Sequence, residues 1–143
     1  MKKPADNSRF SSLTLLKKSE TNVQASPENA QLEAFENIYA DRKYEITFDC
    51  PEFTSLCPVT GQPDFGKITI RYIPDKLCVE SKSLKLFMFS FRNHNTFHEE
   101  AVNIILDRIV ETCSPHFAEV IGEFRPRGGI AITVKAVYPD TNK

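Results

Sequence analysis

The sequence predicts an α+β domain, a four-stranded antiparallel sheet with two helices on one face, in the order β-β-α-α-β-β. Three observations carry this. Apolar side chains alternate at Tyr44, Ile46, Phe48 and Cys50, and again at Ile68, Ile70 and Tyr72, which is the period of a half-buried strand. The stretch FHEEAVNIILDRIVETC, residues 97–113, repeats its apolar residues at helical spacing instead. A second pair of apolar segments, roughly Phe117–Phe124 and Ile130–Tyr138, is joined by RPRGG, whose glycines suit a hairpin turn.

Taken in order, residues 1–42 are polar, contain the Ser-, Asn- and Pro-bearing piece SETNVQASPENA, and hold one short apolar patch, LTLL at 13–16. They read as an arm that packs onto the domain, which spans 43–143, or onto a neighbouring subunit. The first strand starts near Lys43 and the second covers Lys67–Tyr72. Between them, FTSLCPVTGQPDFG (53–66) reads as a proline-bracketed loop. In SLKLFMFSFR, Leu84, Phe87, Met88 and Phe91 fall at i, i+3, i+4 and i+7, so a helix is preferred over a strand. The second helix buries a stripe of Phe97, Ala101, Ile105, Ile109 and Thr112, widened by Val102, Leu106 and Val110, and stops at Ser114-Pro115. An open sheet leaves unpaired amides at its edges; pairing with further copies would satisfy them, so a homo-oligomer is expected.

Composition bounds the function. The chain has 143 residues, enough for one domain, and its net charge of −1 gives no global reason for nucleic-acid binding. No apolar run approaches the ~18 residues of a membrane span, and MKKPADNSRFSSL lacks the apolar core of a secretory signal. Four cysteines without a CxxC pair point to reduced thiols and a cytoplasmic location.

Three stretches hold candidate chemistry. Cys57 lies outside the periodic apolar segments, and Pro58, Gly61 and Pro63 favour a reversal that returns Asp64 to its neighbourhood. A thiolate attacking carbon beside a proton-donating carboxyl is one reading; a structural thiol and a turn aspartate is the other. VESKSLKLF opens a helix that Ser81 or Ser83 would cap. Its Lys82 and Lys85 are either a solvated face or, with Arg125 and Arg127, a hold on a dinucleotide phosphate. No GxGxxG follows a strand, so a nicotinamide cofactor would bind outside a Rossmann domain. In HNTFHEE, Thr96 and Glu99 match a capping box, while a free Glu99 would accept two N–H bonds from a guanine-like edge. His94 and His98 stand at i, i+4, but HExxH and a third ligand are missing, which argues against a metal site.

Together, EFTSLCPVTGQPDFG, VESKSLKLFMFSFRNHNTFHEE and FRPRGG resemble the short, single-module QueF nitrile reductases, the NADPH-dependent 7-cyano-7-deazaguanine reductases of queuosine biosynthesis. The likeness spans about Tyr44 to Ile132, and ESKSLKLF is the family's signature motif. It implies a tunnelling fold (T-fold) whose units close into pentameric rings, two of which stack into a decamer. It also implies roles. Cys57 would form a covalent thioimide with the nitrile, Asp64 would supply a proton, and His98 would position or protonate the intermediate. Val79, Glu80, Ser81, His98 and Glu99 would surround and grip the deazaguanine. Lys82, Lys85 and Arg127 would meet the phosphate of NADPH, and no metal is required.

Two other classes compete. GTP cyclohydrolase-like and pterin enzymes share the implied fold, and a hydrolase of that kind would need zinc, for which Cys57, His98 and Cys113 are the available ligands. A non-catalytic ring-forming module would leave the Cys57–Asp64 pair without a purpose.

Overall fold

The computed structural model describes residues 26–140; the LTLL patch at 13–16 lies outside them. One four-stranded antiparallel sheet has the order β2-β3-β5-β6, formed by β2 (Ile46–Leu56), β3 (Pro63–Ile73), β5 (Phe117–Arg127) and β6 (Ile130–Tyr138). Helices α1 (Ser81–Phe89) and α2 (His98–Cys113) stand between the two hairpins in sequence. A second, two-stranded sheet pairs β1 (Ala34–Glu36) with β4 (Leu77–Val79). Each of these two strands is three residues long, too short to show a period, and neither was expected.

Burial of one sheet face drives the fold. Ile68, Ile70 and Tyr72 of β3 and Ala118, Val120 and Phe124 of β5 point into a core closed by Ala101, Val102, Ile105 and Ile109 of α2. Leu84 and Phe87 of α1 join it, and Phe91, just past that helix, packs on Phe53 at 5.3 Å between ring centroids. The expected α2 stripe is rotated slightly. Phe97 stays 47% exposed outside the helix, and Cys113 rather than Thr112 ends the buried row. Ser114, in a left-handed conformation at φ 44°, and Pro115 terminate α2 as expected.

The residues before the first long strand dock on the same chain. Arg108 donates to the carbonyls of Ala30 and Pro27 at 2.6 and 3.0 Å, and Asn37 donates to Asp75 O at 2.7 Å.

The loop expected over 53–66 is mostly strand: only Cys57–Gln62 separates β2 from β3. A β-bulge explains the misreading. Cys50 pairs with Ile68 and Phe53 with Gly66, so β2 advances three residues while β3 advances two. Ile46, Phe48 and Cys50 face the helices before the bulge; Phe53, Ser55 and Cys57 are the buried ones after it. A single extra residue at Pro51–Glu52 therefore decides which way Cys57 points. The other hairpin turns through Gly128 and Gly129, both at positive φ (56° and 79°), as a two-residue loop requires.

Candidate active site

The Cys57 turn is tight. Cys57 N–H donates to Gln62 O at 2.9 Å, and Gly61 N–H donates back to Cys57 O at 2.8 Å. Across the ladder Ser55 faces Asp64, so the reversal sets the carboxylate on the same buried face as the thiol. Leu56 then ties the turn to α2: its N–H donates to His94 O and its carbonyl accepts from Thr96 N–H, both at 3.0 Å. That link places His98, the first residue of α2, above Asp64.

Four side chains meet here. Asp64, 5% exposed, has Arg127 Nε at 3.1 Å from Oδ1 and His98 Nε2 at 3.3 Å from Oδ2. The histidine lies within charge-attraction distance, yet its nitrogen is not aligned for a hydrogen bond. Its ring stacks flat on Phe124, 3.9 Å between centroids and 1° between planes. Phe124 needs Gly66 beside it, since a Cβ there would stand 2.8 Å from both the Phe124 ring and Glu123 O. Arg127 also lies close enough to Cys57 to act on its thiol.

The electrostatics single out Cys57. Hydrogen bonds from the Thr60 side chain and amide, then from Arg127 and the Val59 amide, lower its pKa to about 6. Such a thiol is roughly nine-tenths thiolate at pH 7, against a few per cent for a free cysteine. Two of the other cysteines move oppositely: burial raises Cys50 and pushes Cys113 up to about 12.

The recognition candidates are placed separately. Val79 is held by its N–H donating to the buried Tyr72 hydroxyl at 2.9 Å and by pairing with Ala34. Glu80, not Ser81 or Ser83, caps α1: its two carboxylate oxygens accept from Lys82 N–H at 2.8 Å and Ser83 N–H at 2.7 Å, which lowers its pKa. Ser83 is occupied otherwise, accepting from Glu33 N–H and donating to Glu80 O. The Thr96–Glu99 capping box does not form. Phe97 is the N-cap without any side-chain bond, Thr96 N–H goes to Leu56 O, and the Thr96 hydroxyl reaches Glu100 at 3.4 Å. Glu99 stays exposed in the first turn of α2, and its carboxylate has no bonded partner among the described residues.

The cations expected to act together are apart. Lys85 lines a cleft of about 880 Å³ with Ser81, Phe65, Phe89 and Arg125, while Lys82 borders a hollow of about 490 Å³ beside Glu33. Neither space includes Cys57, Asp64 or His98. The larger cleft therefore lies alongside the reactive cluster, and the chemistry points to the cluster rather than to the size of the hollow. Arg127 belongs with Cys57 and Asp64.

Ser55 escaped the sequence reading. It is fully buried opposite Asp64, and its hydroxyl has no partner; Ser55 Oγ and His98 Nε2 are the two such side-chain atoms among the described residues. Ser55 pairs with Asp64 across the ladder, and His98 Nε2 lies 3.3 Å from the Asp64 carboxylate. Only the register of the hairpin, invisible without the bulge, would have found it. Zinc ligation by Cys57, His98 and Cys113 is ruled out by distance: His98 and Cys113 sit at opposite ends of α2, about 22 Å apart by helical rise. Among the described residues no helix is long and apolar enough to cross a membrane.

The profile of the family described as QueF-like protein matches residues 63–143. A Streptococcus thermophilus protein named NADPH-dependent 7-cyano-7-deazaguanine reductase is 58% identical over 120 residues, 84% of this chain and 74% of that one. Proteins of the same name from Neisseria gonorrhoeae and Bacillus licheniformis are 51% and 53% identical, over 93% and 88% of this chain and 85% and 76% of theirs. Among solved structures, the apo form of the archaeosine synthase QueF-Like superposes with a TM-score of 0.58 at 20% identity, covering 66% of this chain and 91% of that one. That likeness speaks for the tunnelling fold alone. With a matched profile over more than half its length and relatives above half identity, this chain belongs to the QueF-like family.

Proposed function

We propose that the chain reduces the nitrile of 7-cyano-7-deazaguanine to the aminomethyl group with NADPH, in the cytoplasm. The observation that carries this is the meeting of a low-pKa thiol with a buried, histidine-paired carboxyl in one cluster. A nitrile needs that pair: a nucleophile for its carbon and a proton for its nitrogen.

Cys57 Sγ attacks the nitrile carbon, and one π pair of the triple bond moves to nitrogen. Asp64, with His98 beside it, passes a proton to that nitrogen, giving a thioimide. With Lys82 and Lys85 holding its phosphate, NADPH would supply the two hydrides of the reduction. Between them the C–S bond breaks and Cys57 leaves as thiolate, and a second proton completes the amine. The stack on Phe124 keeps the His98 ring in one orientation through both halves. Glu99, and Glu80 through the lone pairs its cap leaves free, accept the N–H donors of the deazaguanine edge, flanked by Val79 and Ser81. Exposed Lys82 and Lys85 are the cations for the cofactor phosphate, and the aromatic-walled cleft at Lys85 suits a flat ring.

The working enzyme is a homo-oligomer of stacked pentameric rings, with sites completed between subunits. Within one chain no hydrogen bond or ion pair joins Val79–Ser81 to the Cys57 cluster among the described residues. The helix-free sheet face carries Glu45, just before β2, then Arg71, Glu119 and Lys135 of β3, β5 and β6, alternating in sign at 3.4, 3.2 and 3.3 Å. The row begins with an anion at the β2 edge and ends with a cation at the β6 edge, so a neighbouring copy continues it. Intact mass after mixing with the nitrile tests the chemistry, and sedimentation tests the assembly.

A further inference from the structure

We propose that Arg127 is a positioning residue for the chemical step: its guanidinium, held on the Asp64 carboxylate, also fixes the Cys57 sulfur beside it. The inference rests on the reading of Cys57 as the attacking thiol.

Backbone geometry is the first support. Along β5, Phe124 faces the helices, and strict alternation would turn Arg127 to the opposite face. The ladder instead pairs Phe124 with Ile132 and Arg127 with Ile130, three steps on β5 against two on β6. The surplus residue resets the alternation and sends Arg127 to Asp64 Oδ1 at 3.1 Å. Pro126, which has no amide to donate, occupies the break. A bulge on β2 aims Cys57 and a bulge on β5 aims Arg127, from both sides of β3.

Charge is the second. The titratable groups gathered at the thiol are Arg127 from β5, Asp64 from β3 and His98 from α2; His94, before α2, meets the turn through its backbone carbonyl. Arg127 is the fixed cation of this set, and its planar fork offers separate N–H donors to sulfur and to carboxyl. During attack the sulfur lone pair becomes the S–C bond and the sulfur loses its charge. As Asp64 gives its proton to the nitrile nitrogen, the negative charge reappears on its carboxylate. Both positions lie on one guanidinium, so the charge moves without leaving its counter-ion.

The test is the pH dependence of iodoacetamide alkylation at Cys57, mapped by mass spectrometry on the full chain without cofactor or substrate. Wild type should show a midpoint near 6. Arg127→Ala should raise it by at least about half a unit, while the Thr60 hydrogen bonds still hold it below the ~8.5 of a free thiol, and Arg127→Lys by less. Near pH 9.5 all three should react within about twofold of one another, because the thiolate then forms unaided. A role confined to cofactor phosphate leaves every midpoint in place. An Arg127→Ala midpoint within about 0.3 unit of wild type overturns the inference. If that variant does not fold, the Arg127→Lys midpoint decides by the same criterion. Wild-type label found chiefly on Cys50, Cys78 or Cys113 would overturn the nucleophile reading itself, and this inference with it.

Discussion

Replacing Glu99 with glutamine separates recognition from stability. Because the capping box is absent, the Glu99 side chain makes no bond that glutamine would have to replace. What the fold loses is one negative charge at the N-terminal end of α2, where Glu100 remains. Such a charge is worth about 0.3–1 kcal/mol, so the melting temperature should fall by only about 1–4 °C. Binding should respond far more. A carboxylate accepts two N–H bonds from a guanine-like edge, whereas glutamine offers one acceptor and a misplaced donor. The loss should be about 2–4 kcal/mol, or roughly 30- to 1,000-fold in affinity. Titration calorimetry with 7-cyano-7-deazaguanine on a Cys57→Ala background reads binding without chemistry. An affinity change below about threefold would refute the recognition role, and a large fall in melting temperature would mean that Glu99 has a structural partner after all.

Three other outcomes follow from the same geometry. Asp64→Asn cannot donate a carboxylic proton, so turnover should drop about 10²–10⁴-fold; near-normal rates across pH 6–8 would remove it from the role. Ser55→Ala deletes a buried hydroxyl that has no partner, so the chain should be as stable as wild type or more so; a loss above about 1 kcal/mol would show that the hydroxyl is bonded in the assembled protein. Lys135→Glu should weaken assembly in sedimentation at low salt, and adding Glu45→Lys should restore it; rescue failing at every salt concentration would break the proposed continuation of the charge row between subunits.

Much of this architecture was legible in the sequence, because it rests on long periodic signals. The 97–113 stripe and the alternation at Ile68, Ile70 and Tyr72 announce α2 and β3, and Pro58, Gly61 and Pro63 announce the reversal beside Cys57. What stayed hidden depends on single residues of register. The surplus residues at Pro51–Glu52 and Arg125–Pro126 break the alternation, so 53–56 reads as loop and Arg127 reads as part of the RPRGG turn. Ser55 and Phe124 acquire their places beside Asp64 and His98 only once those bulges are known. Glu80 was passed over as a cap because serine is the commoner choice and two serines stood next to it. Strands β1 and β4 are held by Asn37, Tyr72 and Glu33 from elsewhere in the chain, contacts that no local pattern records.

Intact-mass spectrometry can show covalent capture of the nitrile by Cys57. The protein is mixed with 7-cyano-7-deazaguanine in the absence of NADPH, then digested to locate any label. One substrate mass should be added per chain, on the peptide carrying Cys57, with no addition in Cys57→Ala. A wild-type protein that binds the nitrile but gains no mass, or an adduct of the same mass persisting in Cys57→Ala, would contradict it.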